Sequence, residues 1–237
     1  MVRVRNEEAV EQLKGLAPKS KFRAPRLREA LGRRMPRAVF IPAFYGVTSA
    51  EEHRTWALVK RELSSGNQSR IVRNLVARLD GVAWDRMNDF LRRTVGATLV
   101  KRTSSQNTED IQHLEVKYKD TNGDLELSSA GAGLINLVAL YAALEKSRPP
   151  ASEPWPVLFL LDEPEAHLHP KLQGDVGDTL GAMAAEFGAQ LLIATHSIEM
   201  INRIGRRRDA QLIALDRSTG QATSLSSEED LVRELLM

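Results

Sequence analysis

The stretch that most constrains the fold is Val157-Leu158-Phe159-Leu160-Leu161, which runs directly into Asp162-Glu163-Pro164. A short, bounded apolar run predicts a strand buried on both faces, as in a parallel sheet. Such strands deliver their polar residues at the C-terminal edge, where α/β proteins place ligands. Two adjacent carboxylates there are costly unless positive charge sits between or beyond them. Mg²⁺ with a polyphosphate meets that need, with Asp162 holding the metal and Glu163 facing the attacking water.

Two further segments point to the same chemistry. Leu191-Leu192-Ile193-Ala194 is a second buried-strand pattern and ends in Thr195-His196-Ser197, so His196 also falls at a C-terminal strand edge and Ser197 is placed to cap the next helix. Upstream, Leu127-Ser128-Ser129-Ala130-Gly131-Ala132-Gly133-Leu134 turns a strand into a helix. Glycines there let backbone amides approach a phosphate closely, and a helix N-terminus is electropositive. A tight turn that needs small residues is the plainer reading of the same positions. After Glu163 the chain continues Pro164-Glu165-Ala166-His167-Leu168-His169-Pro170. His167 and His169, two apart, would lie on different faces of a helix and have no third ligand close in sequence, so they are expected to shape a loop rather than hold zinc. His53 and His113 are isolated and read as surface histidines.

The order of these segments closely resembles the C-terminal lobe of ABC-type ATPases, in particular the soluble AAA-labelled branch that includes OLD-family, RecF-like and chromosome-segregation ATPases. The resemblance covers about residues 36 to 216 and is specific from 127 to 197. It implies an α/β fold: the parallel-sheet lobe of a P-loop NTPase of ABC type, with a helical segment before the signature. It implies ATP and Mg²⁺ as cofactors, Asp162 on the metal, Glu163 as catalytic base and His196 on the γ-phosphate. Ser128, Ser129, Gly131 and Gly133 then form the signature turn, which in the family acts on the nucleotide of a second protomer. Leu127-Ser128-Ser129 departs from the Leu-Ser-Gly-Gly-Gln of transporters, and which hydroxyl meets the phosphate is left open.

One part of the pattern is missing. A phosphate cradle reads G-x-x-x-x-G-K-[ST], and neither Gly-Lys-Ser nor Gly-Lys-Thr occurs in the chain. Gly15-Leu16-Ala17-Pro18-Lys19-Ser20 has a Lys-Ser pair without the second glycine, and Pro18 removes an amide donor. The chain is therefore expected to be a fragment, a shortened product or one half of a split ATPase, and to act with a P-loop-bearing partner chain or as a homodimer. The competing reading is a non-catalytic regulatory or scaffold module that has lost its P-loop.

Composition adds bounds. At 237 residues without cysteine, the chain is one large domain or one and a half, with no disulfide and no thiolate metal site. No run of 18 or more apolar residues and no secretory h-region is present, so a cytoplasmic location is expected. Residues 1–40 carry eleven Lys/Arg against four acids, while the rest of the chain is net acidic. Such a basic arm can meet nucleic acid, or it can be a solvated helical segment. The family resemblance adds DNA transactions or defence against foreign DNA as the expected setting.

Four regions are expected: a basic N-terminal segment at 1–37, a helical segment with a β-hairpin at 38–126, the ATPase lobe at 127–217 and a tail helix at 218–237. Apolar spacing predicts helices over 3–16, 51–63, 68–79, 84–95 and 169–187, and a helix from 134 to 144 with one buried stripe. Strands are expected at 38–41, 114–119, 125–127 and 212–215, with Asn122-Gly123 as a hairpin turn.

Overall fold

The computed structural model describes residues 37–43, 46–48, 50–100, 113–121, 123–149, 157–215 and 219–225. The expected helix at 3–16, the basic segment to residue 36 and the tail helix from 226 lie outside the described residues.

Three strands form a parallel sheet in the order β1-β5-β6: β1 (Arg37–Ile41), β5 (Val157–Asp162) and β6 (Gln190–Ala194). Leu160 of β5 lies between Phe40 of β1 and Leu192 of β6, and Asp162 is opposite Ala194. Alternation decides which side chains reach the core. Val39, Ile41, Val157, Phe159 and Leu161 are buried on one face.

The other face differs from the sequence expectation. Phe40 is 43% exposed and Leu192 57% exposed, and Leu158 and Leu160 are only half-buried. The apolar runs of β5 and β6 predicted burial on both sides, but among the described residues no layer covers this face. The runs record a requirement for cover, and alternation alone determines which half is met here.

Helices cover the buried face. They are α1 (Trp56–Ser64), α2 (Val72–Val76), α3 (Gly81–Val95), α4 (Ala132–Ser147), α5 (Pro170–Phe187) and α6 (Ile198–Gly205). α4 packs on α2, α3 and β1, and is buried continuously from Ile135 to Leu144 rather than along one stripe. Its sequence is nearly all apolar, which suits a helix enclosed by other elements. His169 caps α5 and Pro170 opens it, where the missing N–H costs no hydrogen bond. α6 lies against α5, where a Cβ on Gly177 would come within 3.3 Å of Ile204.

Two expected helices are shorter than the pattern suggested. α1 starts at Trp56 because Glu51 is turned into the interior. Its carboxylate accepts from the backbone amides of Arg73 and Asn74 at 2.9 and 2.7 Å and from the Asn74 side chain at 2.8 Å. It thereby caps α2 from outside the helix. The 68–79 pattern splits into a 3₁₀ turn (Gln68–Arg70) and α2, since the buried Gln68 amide donates to the Phe40 carbonyl.

The hairpin forms at the expected turn from β3 (Lys117–Asp120) and β4 (Gly123–Glu126), with Gly123 at φ 115°, but the first strand starts at Lys117 rather than 114 and Leu127 opens a 3₁₀ turn instead of ending the second. A third strand, β2 (Thr98–Val100), extends it and was not anticipated. Among the described residues, β7 (Leu212–Leu215) pairs with β8 (Ala222–Leu225) and not with the parallel sheet, although α6 connects β6 to β7.

Candidate active site

The C-terminal edge of the parallel sheet gathers three of the expected residues. Asp162 ends β5, half-buried. Glu163 follows in a left-handed conformation, φ 46°, with its amide bonded to the Ala194 carbonyl at 2.9 Å. A non-glycine residue there carries strain of order 1–3 kcal/mol, which must be over-determined by its surroundings. The Glu163 carboxylate lies 3.4 Å from Nε2 of His196, which follows β6 and is almost fully exposed. Parallel pairing of β5 with β6 is what brings residues 33 positions apart in the chain to one place.

Burial raises the Glu163 carboxyl above the usual carboxylate range, the nearby Glu165 charge raises it further, and His196 opposes both. Glu165 is buried, and one of its oxygens accepts the Thr195 hydroxyl while the other has no hydrogen-bond partner. Thr195 Oγ1 also accepts the Ser197 amide at 3.0 Å. Glu165 therefore ties the segment after β5 to the segment after β6. Ser197 caps α6 as expected, accepting the Met200 amide at 3.1 Å.

This edge gathers the carboxylates of Asp162, Glu163 and Glu165, and a divalent cation would offset their charge. Mg²⁺ is commonly held by one or two carboxylates together with phosphate oxygens, so Asp162 alone is an adequate protein ligand. Among the described residues no group of three or more His, Cys, Asp or Glu forms a self-contained metal cage. His167, at φ 67°, and His169, the α5 cap, occupy a loop and a helix start.

The 128–133 turn lies beside this edge and is held to it by α4. The buried Asn136 side chain donates to the carbonyls of Pro164 at 3.0 Å and Ala166 at 2.9 Å. One turn earlier, a Cβ on Gly133 would lie 3.1 Å from both the His167 carbonyl oxygen and a Leu168 methyl. Gly133 is thus a close-packing position, whereas Gly131, the N-cap of α4, has open space around it. Ser128 and Ser129 are both engaged by Glu126: Ser128 through the carboxylate, Ser129 through the backbone carbonyl at 2.6 Å.

Sequence reading missed Asn136, Glu126, Arg73, Glu165 and Thr195. Only Glu165 and Thr195 had a usable signal, being neighbours of the assigned motifs. Replacing Asn136 by Leu leaves two carbonyls without their donor. It is expected to cost on the order of 2–4 kcal/mol of stability, measurable as a lower denaturant midpoint at unchanged slope. A cost within 0.5 kcal/mol would show that water serves those carbonyls equally well.

The family model for an AAA ATPase domain matches residues 62–201. The thiamine import ATP-binding protein ThiQ of Mesorhizobium japonicum is 35% identical over 91 residues, 38% of this chain and 31% of its own length. The chain thus spans about a third of that relative. A structure from work on ATP-driven dimerization and DNA stimulated activation of SMC ATPases is 17% identical at a TM-score of 0.49, covering 70% of this chain and 98% of that one. The Smc head domain with a coiled coil and joint from Pyrococcus yayanosii is 21% identical at a TM-score of 0.48, covering 76% and 32%. The SMC head domain from Thermotoga maritima is 17% identical at a TM-score of 0.43, covering 74% and 61%.

Proposed function

The chain belongs to the AAA ATPase domain family, and from that premise we propose that it supplies the carboxylate and signature half of an ATP-hydrolysing site built across a dimer interface. The observation that carries this reading is the convergence of Asp162, Glu163 and His196 at one sheet edge, with the Glu163 carboxylate 3.4 Å from the His196 ring. When bound, Mg²⁺ supplies charge neutralisation at the phosphates. Asp162 is the residue that holds it. Glu163 orients the attacking water and takes its proton, a role that suits a carboxyl raised by burial. His196, exposed on the same edge, is positioned to donate to a phosphate oxygen. Ser128, Ser129, Gly131 and Gly133 shape the turn that presents the start of α4 to a second protomer's nucleotide.

The cradle for the phosphates has to come from another segment. Parallel sheets are covered on both faces. Here the face bearing Phe40 and Leu192 is open, and β6 has no partner on its outer edge among the described residues. A strand, glycine-rich loop and amphipathic helix would fill that edge and that face together. We assign them to a P-loop-bearing segment, whether joined to this sequence or on a separate chain. Co-expression with such a segment tests the assignment, and protection of Leu192 from solvent labelling is the expected result. Unchanged labelling in an ATP-hydrolysing complex would place the segment elsewhere.

Coupling of the site to DNA, or to defence against foreign DNA, is part of this proposal. So is nucleic-acid contact through the basic residues 3–37, which would be at most weak, because Phe22 is the only aromatic residue before Phe40 to stack on a base, and sequence-independent, because phosphate contacts would carry it. Binding is expected to fall steeply with salt and to vanish on deletion of residues 1–37. Binding that survives the deletion, or that barely responds to salt, would refute it. No helix among the described residues is long and apolar enough to cross a membrane.

A further inference from the structure

We propose that Arg73, acting through Glu126, is the positioning residue of the 128–133 turn. Arg73 lies on α2 and is only 1% exposed, yet it is charged. Its Nε and Nη2 donate to the two oxygens of Glu126 at 2.9 and 3.1 Å, a bidentate pair across 53 positions of chain. Nη1 donates to the Thr48 carbonyl at 3.0 Å. The geometry is that of a planar fork, which a lysine cannot reproduce.

Glu126 passes this constraint to the turn. Its Oε2 accepts from both the backbone amide of Ser128, at 2.6 Å, and the Ser128 hydroxyl. Its backbone carbonyl accepts the Ser129 hydroxyl at 2.6 Å. The next residues are fixed in turn, since the Leu127 amide donates to Val116 at 2.8 Å and the Ala130 amide to Leu127 at 3.1 Å. Burial alone would raise the Glu126 carboxyl, but Arg73 and Ser128 together hold it down at about 2.

The network assigns different duties to residues of one turn. Both Ser128 donors point at Glu126 and act as struts. At the start of α4, Gly131 is the N-cap without a side-chain cap, and a Cβ there would meet open space. Arg73 therefore connects the helical segment to the orientation of α4's first turn. The functional consequence rests on reading that turn as the contact to a second protomer's nucleotide; the strut itself does not.

Residue-resolved amide exchange on the full chain tests it, comparing the natural protein with Arg73→Lys, Glu126→Gln and Ser128→Ala. Arg73→Lys and Glu126→Gln are each expected to speed exchange at Ser128 and Ala130 by about tenfold or more, with Leu140 to Leu144 unchanged. The Glu126 carboxyl is expected to titrate higher in Arg73→Lys and in Ser128→Ala than in the natural chain. A uniform rise across α2, α3 and α4 would make Arg73 a stability element only and overturn the proposal. So would unaltered Ser128 exchange, or a Glu126 titration indifferent to Ser128→Ala. If Arg73→Lys does not fold, Glu126→Gln decides the exchange result and Ser128→Ala the titration. No nucleotide is present in these measurements, so their failure leaves the ATPase reading standing, and failure of that reading would appear only in turnover.

Discussion

The 237-residue chain by itself is expected to hydrolyse MgATP no faster than the uncatalysed background. Its sheet edge carries Asp162, Glu163 and Glu165, all of which bring negative charge, and burial and Glu165 raise the Glu163 carboxyl despite the opposing His196. A phosphate cradle supplies several preorganised amides and a lysine, and no Gly-Lys-Ser or Gly-Lys-Thr is encoded. Removing one preorganised donor costs about 10²- to 10³-fold in rate, and removing the whole set costs more. With a P-loop-bearing segment added, Mg²⁺-dependent turnover is expected to appear, and Glu163→Gln to reduce it by about 10²-fold or more, since general-base assistance contributes on that scale. Steady-state phosphate release measures both. Rapid turnover by the unaided chain, lost on Glu163→Gln, would mean that the chain holds a phosphate site of another kind.

The second large effect concerns which protomer supplies which group. In the reconstituted enzyme, Glu163→Gln and Gly131→Trp are each expected to be inactive, and mixing them is expected to restore part of the activity. Restoration follows if a working site pairs Glu163 of one chain with the signature turn of the other, because a mixed dimer then keeps one intact pair. Gly131 is the right position for the block. A Cβ there meets open space, so a side chain can start from it without striking its own chain. A substitution at Gly133 would instead strike the His167 carbonyl and Leu168, and so damage the segment that follows Glu163 in cis. No recovery in proven heterodimers would place both groups in one chain's own site and refute the two-protomer arrangement.

The contrast between the two glycines shows what was legible in advance. Both were visible as small residues at a strand-to-helix turn, and both suited close approach to phosphate. Nothing local distinguishes them, because what stands over Gly133, and leaves Gly131 open, is a segment more than 30 positions away. The same holds for Arg73 and Glu126. An arginine in an apolar helical pattern and a glutamate ending a strand are ordinary, and only folding shows that the buried arginine is satisfied by the half-buried glutamate.

Local chemistry was decided by the sequence alone. The apolar runs ending at Asp162 and near His196 specify strands and put those side chains at strand ends, since a strand needs only a short run and a stop. Pro170 and Ser197 specify helix starts through backbone geometry and a side-chain cap within three residues. The hairpin at Gly123 follows from a conformation that glycine adopts readily. The tertiary structure decided what depends on distant partners: the start of α1, set by the inward turn of Glu51; the all-round burial of α4; the separate pairing of β7 with β8; and the open face of the β1-β5-β6 sheet. Hydrophobic pattern states that a surface must be covered, but burial is non-directional and carries no address for the element that covers it.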